Sequence, residues 1–380
     1  MHVARPPART PSTLRTPNAK AILEALARRG PLTRAQLMHQ TGLSRGAVAP
    51  SLRSLESRDL IVSAGTASPS GEHAAKGPAA MRVALNPRLG FAVAVHLDHH
   101  DAHVALVDAT GAVRAEAHAP LSAAYDRLDV ITALIEECTG GVAPLHAAVV
   151  AAPGIVTRDG EIRDDSGPDG GAFRAALAER VGCPVRIEND VSLAALAELA
   201  GELGTQHSSF ALLLLDGGLG AAFVLDGVLR RGASGMAGEV QYLPQTPLPL
   251  GAPVVGEVVT ADLASGVGRD PSLPLLAHLE AAATGDPAAH SMISEIARRL
   301  TVVAGTVSLV IDPGIFVLAG LAAHPVMFDA IQHAAQAWEE RLPLRFTTSA
   351  FGREAPLVGA VHEATVELQA ALFSPDDRKH

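Results

Sequence analysis

"FAVAVHLDHHDAHVALVD", residues 91–108, is the stretch on which the fold turns. "FAVAV" and "VALVD" are apolar runs of strand length, and the turn between them packs His96, His99, His100 and His103 into eight positions. Paired strands around a tight turn predict a hairpin, and "GAVRAEA" (111–117) continues the sheet. Farther along, "HAAVVAAPGIV" (146–156) reads as a buried strand ending at Pro153-Gly154. "PVRIEND" (184–190) is another, feeding the helix pattern "VSLAALAELAGEL" (191–203). "FALLLLDGGLGAAFVLDGVLRRG" (210–232) holds two more strands around Asp216-Gly217-Gly218, with Asp226-Gly227 as the next turn. Helical periodicity returns at 288–311 and 326–341. Strands alternating with helices over this length predict an α/β body of two lobes.

The four histidines raise the question of a metal. Imidazole suits Zn, Ni and Cu. A tetrahedral site needs its ligands to converge, whereas alternate strand residues point to opposite faces. A solvated hairpin turn is therefore the expected reading. The only cysteines, Cys138 and Cys183, are far apart, which excludes a disulfide scaffold and a cysteine-rich zinc cluster and suits a reducing cytoplasm. No run approaches the roughly 20 apolar residues of a membrane span. The start, "MHVARPPARTPSTLRTP", lacks a signal-peptide core and is expected to be a flexible basic arm over 1–16.

The net charge of −10 hides an asymmetry: residues 1–85 carry a balance of +8 and the remainder −18. Residues 18–58 contain three short helix patterns. Asn18 is placed to cap the first, with Ile22 and Leu26 on its apolar face and Gly30-Pro31 as its stop. Thr33 opens the second, with Gln36 at capping-box spacing and Leu32 and Leu37 placed as a staple. It ends near Gly42. Ser44 caps the third, whose buried face is Val48, Leu52 and Leu55. Two helices and a tight glycine turn predict a helix-turn-helix, and "DLIVS" and "MRVAL" add two strands around a long wing. Arg34, Ser44, Arg45, Ala47, Ser51 and Arg53, with Lys76 on the wing, are the candidate DNA contacts. A small protein-interaction domain is the alternative, and the basic bias favours double-stranded DNA. Pro50, at the sixth position of the third helix, lacks an N–H and is expected to delay or kink it.

In order along the body, "AAPGIV", "RIENDVSLAALAE", "GGLGAAFVLDG", "RRGASGMAGEV", "DPGIFVLAG" and "PLVGA" resemble the ROK family over about residues 86–372. That family groups sugar kinases with sugar-responsive repressors, and a winged helix in front resembles the repressor branch. The resemblance implies a duplicated actin-like, ribonuclease H-like ATPase fold with a sugar in the cleft between its lobes. The expected division is the winged helix over 17–85, lobe I over 86–192 and lobe II over 193–356. A helix over 357–373 returns to lobe I, and 374–380 is a tail.

The resemblance also implies roles. Asn189 and Asp190 match the pair that holds sugar hydroxyls and serves as the kinase base; read by themselves, they are equally helix-cap residues. Glu239 and Glu257 match sugar-contacting glutamates, Gly154 stands beside them, and Tyr242 replaces a histidine that binds sugar and zinc. The family's first phosphate loop falls on His96, Asp98, His99 and His100, and its second on Asp216-Gly217-Gly218. Glycines let backbone N–H groups approach phosphate, whereas carboxylates there repel it. No ATP, and so no catalytic residue, is expected. Leu248, Leu250 and Val255 stand at zinc-cysteine positions, so no metal is expected either. The implied protein is a cytoplasmic, sugar-responsive regulator, a homodimer or dimer of dimers on an operator, with no membrane partner.

Overall fold

The computed structural model describes residues 17–66, 80–98, 100–121, 126–140, 144–157, 160–163, 170–245, 252–340 and 342–373. Its first unit runs α1 (Pro17–Arg29), β1 (Leu32–Thr33), α2 (Arg34–Thr41), α3 (Arg45–Glu56), β2 (Ile61–Thr66) and β3 (Met81–Leu85). The strands form one sheet in the order β1-β3-β2.

The predicted capping box at α2 is complete. The Gln36 N–H donates to Thr33 Oγ1 at 3.3 Å, and the Thr33 N–H donates to Gln36 Oε1 at 2.9 Å. Gly42 then ends α2 in the left-handed region at φ 68°. Two cap assignments need correction. The helix α1 begins at Pro17, so Asn18 sits in its first turn; proline lacks an N–H and has its φ already set for that position. Ser44 precedes α3 with extended backbone, but its side chain makes no capping bond.

The body contains one topology twice. The first copy comprises β4 (Phe91–Leu97), β5 (Asp101–Asp108), β6 (Val113–Pro120), α4 (Arg127–Thr139), β7 (Leu145–Ala152), a short pair β8 (Ile155–Val156) and β9 (Ile162–Arg163), α5 (Gly170–Val181) and β10 (Val185–Asn189). The connecting helices are α6 (Asp190–Ala200) and α7 (Glu202–Gln206). The second copy comprises β11 (Phe210–Leu215), β12 (Leu219–Leu225), β13 (Val228–Leu229), α8 (Glu257–Gly266), α9 (Leu275–Ala283), α10 (Pro287–Ile311), β14 (Phe316–Gly320), α11 (Pro325–Ala335) and β15 (Phe346–Thr348), and α12 (Ala355–Phe373) closes the chain. The sheet orders are β10-β7-β4-β5-β6 and β13-β12-β11-β14-β15. In each, three consecutive strands pair antiparallel and two later ones add in parallel to the first.

Packing stacks these parts in layers. One face of the first sheet buries Val93, Val95, Val104 and Val150 against α4 and α5. Its other face presents Ala92, Ala94, Ala105 and Ala147, small residues that admit α12 through Leu357, Ala360, Ala364 and Leu368. The helix α6 shares that layer and turns Val191, Ala194 and Ala195 onto Phe210, Leu212 and Val224 of the second sheet. The far face of the second sheet packs on α10 and α11. Contact between α6 and α12 requires Gly359, where a Cβ would stand 1.9 Å from the Leu193 carbonyl oxygen.

The helix α12 reaches every layer. Ala355 is buried with Val317 and Ala319 of the second sheet, its middle turns lie on the first, and Phe373 enters the core of the front unit beside Ile22, Leu26 and Leu55. Nineteen residues at 1.5 Å each span about 28 Å. Among the described residues, no helix is long and apolar enough to cross a membrane.

Candidate ligand cleft and nucleic-acid interface

The strands of both sheets end at a shared cavity of about 690 Å³. Its walls bring together His96, Asp98, Gly154, Asn189, Asp190, Asp216, Gly217, Glu239 and Tyr242, residues drawn from across 147 positions of sequence. Gln241 and Arg353 line it too and carried no sequence signal.

Asn189 ends β10 and caps α6. Its Oδ1 accepts from the Ser192 N–H at 2.9 Å, and its Nδ2 donates to the Gly154 carbonyl at 3.0 Å. The cap reading is therefore correct, and the same bonds fix the amide at the cavity wall. Asp190 Oδ1 accepts from the adjacent Val191 N–H at 2.8 Å. Loss of hydration pushes its carboxyl up to about 7, and the negative charges of Asp216 and Glu239 add to the effect. Burial also raises Glu239. Tyr242 stands at the rim, about half exposed.

At the other end, Asp98 closes the β4–β5 turn. Its Oδ1 accepts from the His100 N–H at 2.7 Å and the Asp101 N–H at 2.6 Å. This carboxylate thus uses turn N–H groups that a phosphate would need. His96 pairs across the strands with His103, and His103 with His118, at ring separations of 6.4 and 5.5 Å. Burial lowers His96 to about 4, so it is a neutral imidazole at pH 7. Asp216 meets Arg353, just before α12, at 3.4 Å.

Glu257 does not join the sugar-side residues. It starts α8 with a largely exposed side chain, 3.5 Å from the exposed His100 imidazole. The backbone at Gly256, φ 142°, lies against the Gly217 carbonyl and carries Glu257 to the mouth of the cleft. This corrects the expectation that both glutamates face one sugar. Val255 is fully buried in the apolar core of the second lobe. His99, Leu248 and Leu250 lie outside the described residues. Among the described residues, no group of three or more His, Cys, Asp or Glu is arranged to hold a metal.

In the front unit, Arg34, Ser44, Arg45 and Arg53 are exposed. Two candidates are less available. The Ser51 hydroxyl donates back to the Ala47 carbonyl at 2.9 Å, and Ala47 is itself half-buried. The helix α3 runs without interruption through Pro50 rather than starting late. Lys76 lies outside the described residues.

Comparison with known proteins agrees with this geometry. A family model described as "ROK family" matches residues 92–249, and one described as "Winged helix-turn-helix DNA-binding" matches residues 15–62. The ROK model thus covers about two-fifths of the chain, and the winged-helix model covers the front helices. The xylose repressor of Bacillus subtilis (strain 168) is 22% identical over 234 residues, 60% of either chain. The DNA-binding transcriptional dual regulator NagC of Escherichia coli (strain K12) is 27% identical over 240 residues, 61% of this chain and 58% of NagC. The matched stretch thus spans about three-fifths of these relatives.

In three dimensions, a ROK family transcriptional regulator homologous to the E. coli MLC protein superposes with a TM-score of 0.71 at 20% identity. The match covers 94% of this chain and 97% of that one. A ROK glucokinase from Streptomyces griseus, solved with glucose and AMPPNP, gives 0.60 at 23% identity over 72% and 99%. The shared fold is therefore a winged helix-turn-helix followed by a two-lobed, actin-like α/β body. Within it, Asn189, Asp190, Glu239, Asp98 and Asp216 line one cleft.

Proposed function

We propose that this chain is a sugar-responsive DNA-binding regulator, a repressor, whose ROK domain senses its ligand without phosphorylating it. One observation carries the reading. A cavity lined by an amide and carboxylates suited to a polyol also opens onto Asp98, which takes the N–H groups of its own turn, and onto Asp216. An amide and carboxylates can accept from adjacent hydroxyls, which is how a sugar is held. Phosphoryl transfer depends on positioning the phosphates and neutralising their charge, and carboxylates there oppose both. Neither triphosphate at these loops nor zinc at the buried Val255 suits the chemistry present.

The exposed arginines of the front unit support binding to an operator, and paired half-sites would call for at least a dimer. Sugar alters DNA affinity only by the difference in its affinities for two arrangements of the body. The mobility of labelled DNA from the region of its own gene tests this. Retardation that weakens with rising salt and changes with a hexose supports the reading. Retardation indifferent to every sugar tried would reduce it to a constitutive DNA binder.

A second reading has one specific observation in its favour: Asp190, at the kinase base position, has its carboxyl raised to about 7. ADP release from ATP and a hexose, well above the rate of Asp190→Asn, would establish a kinase.

A further inference from the structure

A second cavity, of about 820 Å³, opens beside Glu188. Four arginines line it: Arg174 on α5, Arg186 on β10, and Arg230 and Arg231 after β13. A small pocket walled by Glu188, Asn189, Arg231 and Glu239 shares wall residues with both this cavity and the main cleft. In a body whose balance is −18, four cations on one wall stand out.

Two of them are already matched. Arg231 donates to Glu188 at 2.8 Å, and Arg186 donates to Glu188 at 3.1 Å, Glu363 at 2.7 Å and Glu367 at 3.2 Å. Arg230 donates only to the Leu225 carbonyl, at 3.3 Å. Arg174 lies with its stem across Gly160, where a Cβ would touch it at 3.4 Å, and has no acidic partner among the described residues. The extended cleft is therefore polar from end to end. Carboxylates stand at the phosphate loops, and uncommitted guanidiniums stand at the far end.

We propose that the arginine-lined cavity takes an anionic group carried by the effector, a phosphate or a carboxylate, held by Arg174 and Arg230. Guanidinium forks match both anions and remain charged at any physiological pH. The group lies on the side of the sugar remote from Asp98 and Asp216, opposite to where a kinase would add phosphate. This rests on the sugar-sensor reading and sharpens it by naming the class of sugar.

Titration calorimetry of the full chain with inorganic phosphate tests the anion site without any sugar. Saturable binding is expected, weakened at least tenfold in Arg174→Gln/Arg230→Gln and unchanged in Arg298→Gln, which makes the same type of charge change on distant α10. Glucose 1-phosphate and gluconate, which carry their anion at the other end of the sugar, run against glucose, then tell phosphate from carboxylate. No saturable phosphate binding, or equal binding by the double variant, overturns the proposal. Glucose binding that persists in that case would leave the sugar reading standing.

Discussion

At the scale of single residues, Asp190 gives the clearest prediction. Its carboxyl is held near 7 by lost hydration and by two neighbouring carboxylates, against 3.8 when unperturbed. The folded chain therefore binds more protons there than the unfolded chain between pH 4 and 7. Its contribution is fully present below about 4 and is lost as pH rises through 7. Asp190→Asn, which keeps the acceptor for the Val191 N–H, should gain on the parent by a few kcal/mol between pH 4 and pH 8, roughly 1.4 kcal/mol for each pH unit separating the two pKa values. Urea denaturation at the two pH values measures this, and a gap that fails to widen would contradict it. Much of this site was legible in the sequence, because Asn189, Asp190 and Glu239 belong to motifs whose spacing survives. Gln241 was not, since a lone glutamine carries no chemical signal. Glu257 was misplaced because a residue's place in a motif does not reveal the path of the backbone before it. The left-handed turn at Gly256 takes it to the rim.

At the scale of elements, the helix α3 shows how local chemistry was read correctly and then overridden. Thr33 and Gln36 formed the box their spacing foretold, since such bonds depend on four consecutive residues and little else. Pro50 did not break α3, because Val48, Leu52 and Leu55 bury one face of it on both sides of the proline. The missing bond to the Gly46 carbonyl remains a cost. Pro50→Ala should stabilise the front unit by roughly 1–3 kcal/mol. Denaturation followed by far-UV circular dichroism reads the gain, and an unchanged or lowered midpoint would show that the proline ring contributes contacts that outweigh it. The duplicated strand order was only half legible. Apolar runs located the strands, but their pairing depends on partners more than a hundred residues away.

At the scale of the molecule, α12 is the part that sequence alone did not disclose. The resemblance implied a helix returning to the first lobe, and nothing in "AALF" distinguishes a plug for another core from a frayed end. The structure buries Phe373 among Ile22, Leu26 and Leu55. Phe373→Ala should cost the front unit about 3 kcal/mol. The loss should appear as faster amide exchange across α1 and α3 while β4 and β11 keep their protection. Uniform loss of protection would mean that the chain unfolds as a single cooperative block.

Translation makes the front helices first, yet a side chain that fills their core, Phe373, stands more than 300 residues downstream of them. A nascent polypeptide that stops short of α12 thus leaves the front helices with an incompletely filled core, so that unit reaches its full packing only after both lobes have been translated.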